Sequence, residues 1–526
     1  MISKYFVAII LLCLVSLIGG TINAQYIKDG YHWGFIFSHS FDLLRGKEPY
    51  IEIFLEYGFL QVLVNSLLIK IFGEYVFLIQ VFIVFIYSIS LFIIFKIILL
   101  LTGKTKLSFL SVLVIFLLYP WPTSPWPIYY SFFFSLIFIY FYLKESLKYS
   151  IIAGIALFSA YLSYTTLFNF IIFFLVLSVV LQYFLFKKLH TEIYKKHLYF
   201  IFLTFFLLFF IFIIYLFLNN FLFEWIKFQK IPFLVKESLE YRFIDLIIQY
   251  INFIFIMPYV NMVNEPQWMI YSLLFISNIW LILLILKNKI SKFYYQNKLK
   301  LLTVCIFIFL LNFMGQVQNL MYISCSISAA IICFALFFNN IKANENKFII
   351  NTIMIFLTIF SVFNYEMKFS EYADSRDKSV KFLSTSSILT EGDINYYKYF
   401  KWDKGYWDFL NIFLNKINSI NKKCEYIKGV NLTDDVYLYL LINNETIQRI
   451  PFYLNESNFK FNRIFDSELI NKIQYHIDRE NIFVITHKNN DKDLNFSSKY
   501  SFQDIGIKSN KIIDDRFRII YPKKCI

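Results

Sequence analysis

The side chains with the most chemistry per unit length lie in one polar stretch, directly after the first apolar run. Between Tyr26 and Tyr57 the chain carries Asp29, His32, His39, Asp42, Arg45, Lys47, Glu48, Glu52 and Glu56. A carboxylate in such a set can take a proton from an attacking hydroxyl. Cations can hold a phosphate, and carboxylate with imidazole can hold a divalent ion. Asp29 also has the side chain of a helix N-cap, and the spacing predicts a helix from about Tyr31 to Leu44 with Gly46 as its stop. His32 and His39 stand seven residues apart and share one face of that helix. The plain alternative is a solvated amphipathic surface helix with ordinary capping. Location favours a site, because ionisable groups gathered at a membrane boundary, beside helices almost free of charge, suit a polar substrate.

The elements that must position these residues are apolar helices. The chain of 526 residues is 58% hydrophobic, 21% aromatic and only 16% charged, with mean hydropathy +0.58. A soluble protein is about 45–50% apolar and about 25% charged. The surplus must face lipid, which excludes a cytosolic enzyme and a disordered chain. Runs near the length of a bilayer span, about 17–25 residues, occur at 4–22, 57–73, 75–101, 107–120, 128–143, 149–163, 166–186, 198–218, 246–259, 268–287, 300–315, 320–338 and 348–364. This predicts an all-α polytopic membrane domain of about 11–13 helices over residues 1–364. A small α/β domain over 365–526 follows, with strands at Val436–Ile442 and Ile482–Thr486 and a helix over Ser467–Ile477, capped near Asp466.

The net charge of +14 belongs to cytoplasmic loops rather than to nucleic acid, since no nucleic-acid motif accompanies it. Lysines cluster at 187–196, at 287–300 and at Lys342 and Lys347. The positive-inside rule then puts the first loop (25–56), a second large loop (219–267) and the tail outside the cell membrane, provided 246–259 does not fully cross. At the front, Lys4 together with Lys104 and Lys106 creates a parity conflict. Either one of 57–73 and 75–101 folds back, or the two lysines lie outside. The first helix reads as uncleaved, because Ile22-Asn23-Ala24 is a poor signal-peptidase site. Cys424 and Cys525 bracket the tail and would pair if it is extracytoplasmic.

The first-loop stretch resembles the polytopic GT-C type glycosyltransferases of bacterial envelopes. The matching residues are Asp29-Gly30-x-His32-x-Gly34, Asp42, Gly46-Lys47, Tyr50 to Glu52, Tyr57-Gly58 and Phe72-Gly73. The resemblance implies transfer of a sugar from a polyprenyl-phosphate carrier to a glycan, lipid or protein acceptor on the outer face of the membrane, with Asp29 as the catalytic carboxylate. His32, His39, Asp42, Glu48, Glu52, Glu56 and Tyr57 are the expected substrate contacts from this loop. A weaker echo at Gly315–Tyr322 adds Gln318 and Asn319, where related chains often carry a charged residue and a His. In the second loop Lys227, Lys230 and Arg242 could face the leaving phosphate, or serve as headgroup contacts beside neighbouring acids. Trp121-Pro-Thr-Ser-Pro-Trp126 could stack on sugars or belong to an aromatic belt. No cofactor is assigned; a divalent metal held by Asp29, His32 or His39 is an open alternative. The competing function is a transporter or flippase of lipid-linked glycans, which would call for buried charges and internal repeats, or a polymerase, which would call for arginines in the large outer loop, where 219–267 has one, Arg242.

Overall fold

The computed structural model describes residues 4–25, 32–53, 55, 58–118, 126–144, 146–185, 191–227, 267–287, 298–318, 323–340, 389–391, 393–425, 427–433, 437–442, 462–487, 494–508 and 513–525. The membrane part is helical: α1 (Lys4–Ala24), α2 (His32–Leu44), α3 (Phe59–Phe72), α4 (Val76–Thr102), α5 (Thr105–Leu118), α6 (Pro127–Tyr142), α7 (Leu147–Ser163), α8 (Thr165–Leu185), α9 (Glu192–Leu218), α10 (Gln267–Leu286), α11 (Lys298–Gln318) and α12 (Ile323–Asn340). Three of these, α1, α4 and α9, are each long and apolar enough to cross a membrane. Side chains such as Phe184, Phe210, Phe217 and Leu218 stand exposed on the outer surface of the bundle. In water they would be a large apolar liability; in a bilayer they face acyl chains. The candidate segments 246–259 and 348–364 lie outside the described residues.

Ring contacts order the helix ends. Tyr5 lies against Phe109 and Phe6 against Phe92, and the Lys96 ammonium sits 4.7 Å from the Phe6 ring. The start of α1 therefore lies beside the end of α4 and the start of α5. At the other end, Phe77 at the start of α4 meets Phe400 of the tail, and Gln25 just after α1 accepts a 2.7 Å hydrogen bond from the Lys401 N–H. Alternation carries the remaining helices up and down between these two ends, and α8 and α11 are tied near the far end by Gln182 and Thr303. Close packing of α1 on α4 needs Gly20, where a Cβ would clash with the branched Val84 side chain.

The exception is α3, and it removes the parity conflict. Gly58 packs on the backbone of Leu162 and Ser163 at the end of α7, and Phe59 stacks on Tyr215 near the end of α9. The other end of α3 leads through Gly73 to Tyr75, whose ring meets Tyr399 of the tail. Both ends of α3 thus lie at the tail end of the bundle. Its 14 residues span about 21 Å, short of the roughly 30 Å hydrocarbon core. Ser66 Oγ in its middle donates to the Ser40 carbonyl of α2 at 2.8 Å, and the Tyr130 hydroxyl of α6 donates to Asn65 Oδ1. The expected span 57–73 is a folded-back helix, its polar middle bonded to its neighbours. With α3 removed from the crossings, Lys4, Lys96, Lys104, Lys106, Lys144, Lys148, Lys195, Lys196, Lys287, Lys298 and Lys300 all fall at the end away from the tail.

The tail begins, among described residues, with β1 (Leu389–Glu391) paired to β2 (Lys401–Asp403). The amphipathic α13 (Lys404–Lys423) then packs Phe409, Leu410, Phe413 and Ile417 inward. A four-stranded sheet of order β3-β4-β6-β5 follows, from β3 (Lys428–Asn431), β4 (Ile482–His487), β5 (Tyr500–Lys508) and β6 (Ile513–Pro522), with β3 parallel to β4 and the other pairs antiparallel. Cys424 and Cys525 form a disulfide that closes a loop with a sequence separation of 101; by loop-closure entropy such a bridge contributes about 4–5 kcal/mol. The strand expected at Ile482–Thr486 is β4, and the expected helix is α15 (Asn462–Asp478). Because α15 starts at Asn462, Asp466 lies inside it and is no cap. The strand expected at 436–442 is instead a helical turn, α14 (Tyr437–Leu440). Leu438 to Ile442 are all buried, and a short, uniformly apolar run does not separate the two geometries.

Impermeant-thiol labelling of single cysteines at Glu52, Glu74 and Lys104, in a chain freed of its own thiols, tests this order. The first two label from one face of the membrane and the third only from the other. A crossing α3 would put Glu52 and Glu74 on opposite faces.

Candidate functional site in the first loop and its contact with the tail

The first loop folds as the local sequence requires. α2 begins at His32 and ends at Leu44, within a residue of expectation. Gly46 adopts φ +83° and its N–H bonds the Leu43 carbonyl at 3.1 Å, a left-handed stop that suits glycine. The chain then turns sharply: the Glu52 carboxylate accepts the Glu48 N–H at 2.9 Å, and the Glu52 N–H donates back to the Glu48 carbonyl at 2.9 Å. Glu48 and Glu52 are exposed, so both remain open to a ligand.

Asp42 is almost wholly buried at the end of α2. Its Oδ1 lies 3.0 Å from the Lys47 ammonium, and its Oδ2 accepts the Tyr439 hydroxyl at 2.7 Å. The Lys47 ammonium donates to the same hydroxyl at 2.9 Å. Carboxylate, ammonium and phenol thus close a ring in which Tyr439, from α14 of the tail, is both donor and acceptor. Burial pushes the Asp42 carboxyl above its usual range, and Lys47 and then the Tyr439 hydrogen bond pull it part of the way back. Breaking a buried ion pair by removing one partner costs about 3–5 kcal/mol, because it strands the other charge.

A second bridge lies alongside. The Arg45 guanidinium sits 4.2 Å from the Phe41 ring centroid, and the Phe41 and Tyr396 rings meet edge to face at 5.4 Å. His39, one turn before Asp42, is buried. Burial, and then the Lys47 charge, pull its imidazole down to about 3, so it is neutral at physiological pH. Tyr50, two residues before Glu52, is fully buried at φ +66° and lies near Tyr161 and Tyr215. A tyrosine in the left-handed region is held there by its surroundings, at a cost of about 1–3 kcal/mol. Burial first, then those two phenols, push its hydroxyl well above the usual range.

The remaining expected residues are placed as follows. Asp29, Glu56, Tyr57, Lys230, Arg242, Asn319 and Trp121 lie outside the described residues, and the side chains of His32 and Gln318 do too. The backbone of His32 opens α2, and Gln318 ends α11 at the tail end of the bundle. Lys227 is exposed and pairs with Glu224 at 2.6 Å, one turn apart. Trp126 is buried at the start of α6, with Pro127 as its first residue. Among the described residues no three His, Cys, Asp or Glu side chains gather as a metal-ligand set. Sequence reasoning missed Tyr439, Tyr396 and the part Lys47 plays. Nothing local marks them, because each takes its role from a partner in the other half of the chain.

No family model and no curated protein matches this chain. Among solved structures it is similar to the crystal structure of ArnT from Cupriavidus metallidurans bound to undecaprenyl phosphate, at 10% identity with a TM-score of 0.49, over 99% of this chain and 98% of that one. A likeness at this level carries no residue's role across.

A histidine held well below its ordinary pKa contributes stability above about pH 6.5. That contribution is lost as pH falls toward about 3. Asp42, shifted upward, acts in the opposite sense over the acid range. Thermal unfolding of wild type and His39→Asn between pH 7 and pH 4 should show the wild type losing more stability on acidification. Parallel profiles would remove His39 from the pH response.

Proposed function

We propose that the chain is a membrane glycosyltransferase that moves one sugar from a polyprenyl-phosphate carrier to an envelope glycan, lipid or protein acceptor on the outer face of the cell membrane. The observation that carries this reading is the setting of the first loop. Its Asp29-Gly-x-His-x-Gly pattern leads into α2, and α2 is fixed at one end of an apolar bundle beneath a folded tail. A water-soluble acceptor and a lipid-borne donor meet at such a boundary.

Two observations support the outer face. The tail carries a disulfide, which persists in oxidising compartments. The lysines of the connecting segments lie at the opposite end, as cytoplasmic loops require.

The chemistry asks little of the protein. A sugar on a phosphate already has a good leaving group. Asp29 accepts the proton of the acceptor hydroxyl as its oxygen bonds to the anomeric carbon. The bond from that carbon to the phosphate oxygen breaks, and polyprenyl phosphate leaves with the electron pair. In-line attack of this kind inverts the anomeric centre. The leaving phosphate needs positive charge, for which Lys227, Lys230 and Arg242 are the candidates. Exposed Glu48 and Glu52 are suited to accept hydrogen bonds from sugar hydroxyls.

Envelope glycans from a deletion strain, complemented with wild type or Asp29→Asn at equal membrane levels, give the test by mass spectrometry. Wild type restores one sugar residue that the deletion lacks, and Asp29→Asn leaves it missing. Restoration by Asp29→Asn would remove Asp29 as the base.

A further inference from the structure

The segment that carries Asp29 is bracketed, and both brackets are held by the tail. On one side Gln25, four residues before Asp29, accepts the Lys401 N–H at 2.7 Å. On the other side α2 begins three residues after Asp29. The far end of α2 is held by Tyr439 through Asp42 and Lys47. A helix of 13 residues is a rod about 20 Å long, so fixing one end constrains the other. Resting on the transferase reading, we propose that Tyr439 is a positioning residue for the reaction. Through its hydroxyl the tail sets where α2 stands at the bundle end.

The chemistry of the contact favours this role over general adhesion. Apolar contacts already join the two parts: Phe41 with Tyr396, Tyr75 with Tyr399 and Phe77 with Phe400, at 5.4, 5.6 and 5.9 Å. Such contacts tolerate sliding. The ring of Asp42, Lys47 and Tyr439 does not, because hydrogen bonds to buried charged groups are short and directional. The Tyr439 ring also packs within the buried run Leu438–Ile442. A phenylalanine there keeps that packing and removes only the bridge.

Two readouts on full-length Tyr439→Phe in lipid vesicles test the proposal. The first is amide hydrogen exchange. The expected result is faster exchange in 32–53, with the tail core at 404–425 and 482–487 unchanged. The second is transfer from a panel of short-chain polyprenyl-phosphate hexoses and pentoses to an envelope extract from a strain lacking the chain. A misplaced base lowers kcat by about ten- to a hundredfold, with the KM for the donor within about threefold. Lys47→Gln serves as the second variant should Tyr439→Phe fail to fold, with the same exchange pattern expected. Unchanged exchange in 32–53, faster exchange throughout the tail, or a loss confined to KM would each overturn the proposal. If wild type transfers nothing from any donor, the transferase reading falls, and the exchange pattern alone still decides whether Tyr439 positions the loop.

Discussion

A buried carboxylate, an ammonium and a phenol hold the first loop to the tail, and much of the architecture depends on that small ring. Asp42 and Lys47 lie five residues apart, whereas Tyr439 lies nearly four hundred residues further along the chain. The pair alone would be a poorly compensated charge in a dry place. With the phenol, Asp42 gains its second partner and the loop gains a fixed point. The backbone bond from Lys401 to Gln25 supplies a second fixed point on the other side of Asp29. The tail is therefore more than an appendage on a membrane domain, since it holds the chain on both described flanks of residues 26–31.

The folded-back α3 gives the loop its floor. Its middle bonds α2 through Ser66 and α6 through Asn65, and its two ends rest on the ends of α7 and α9 and on the tail. That arrangement returns the chain to the same end of the bundle before α4 descends. It also accounts for the strain at Tyr50, held at positive φ between the loop and the tops of α7 and α9.

Much of this was legible in the sequence, and the limits have physical causes. The long apolar runs, the stop at Gly46, the pairing of Cys424 with Cys525 and the strand at Ile482 follow from composition and local rules. The folding back of 57–73 did not, because that run has the length and apolarity of a short span, and the contacts that keep it at one end, with Ser40, Tyr130, Tyr215 and the tail, come from partners that no local pattern reveals. The turn at Tyr437–Leu440 was read as a strand because a buried run of a few apolar residues has no period to read. Asp42 was expected as a substrate contact from the resemblance, while its burial depends on partners in the tail that no local pattern reveals.

The most direct test of the account is a lipid analysis of polyprenyl-linked sugars in cells with wild type, a deletion, or the deletion carrying Asp29→Asn. A transferase that consumes a monosaccharide donor leaves that donor stranded when it fails. One polyprenyl-monophosphate monosaccharide is expected to accumulate in both defective strains and not in wild type. Accumulation of an oligosaccharide on a polyprenyl diphosphate, or no change in any carrier-linked sugar, would contradict it.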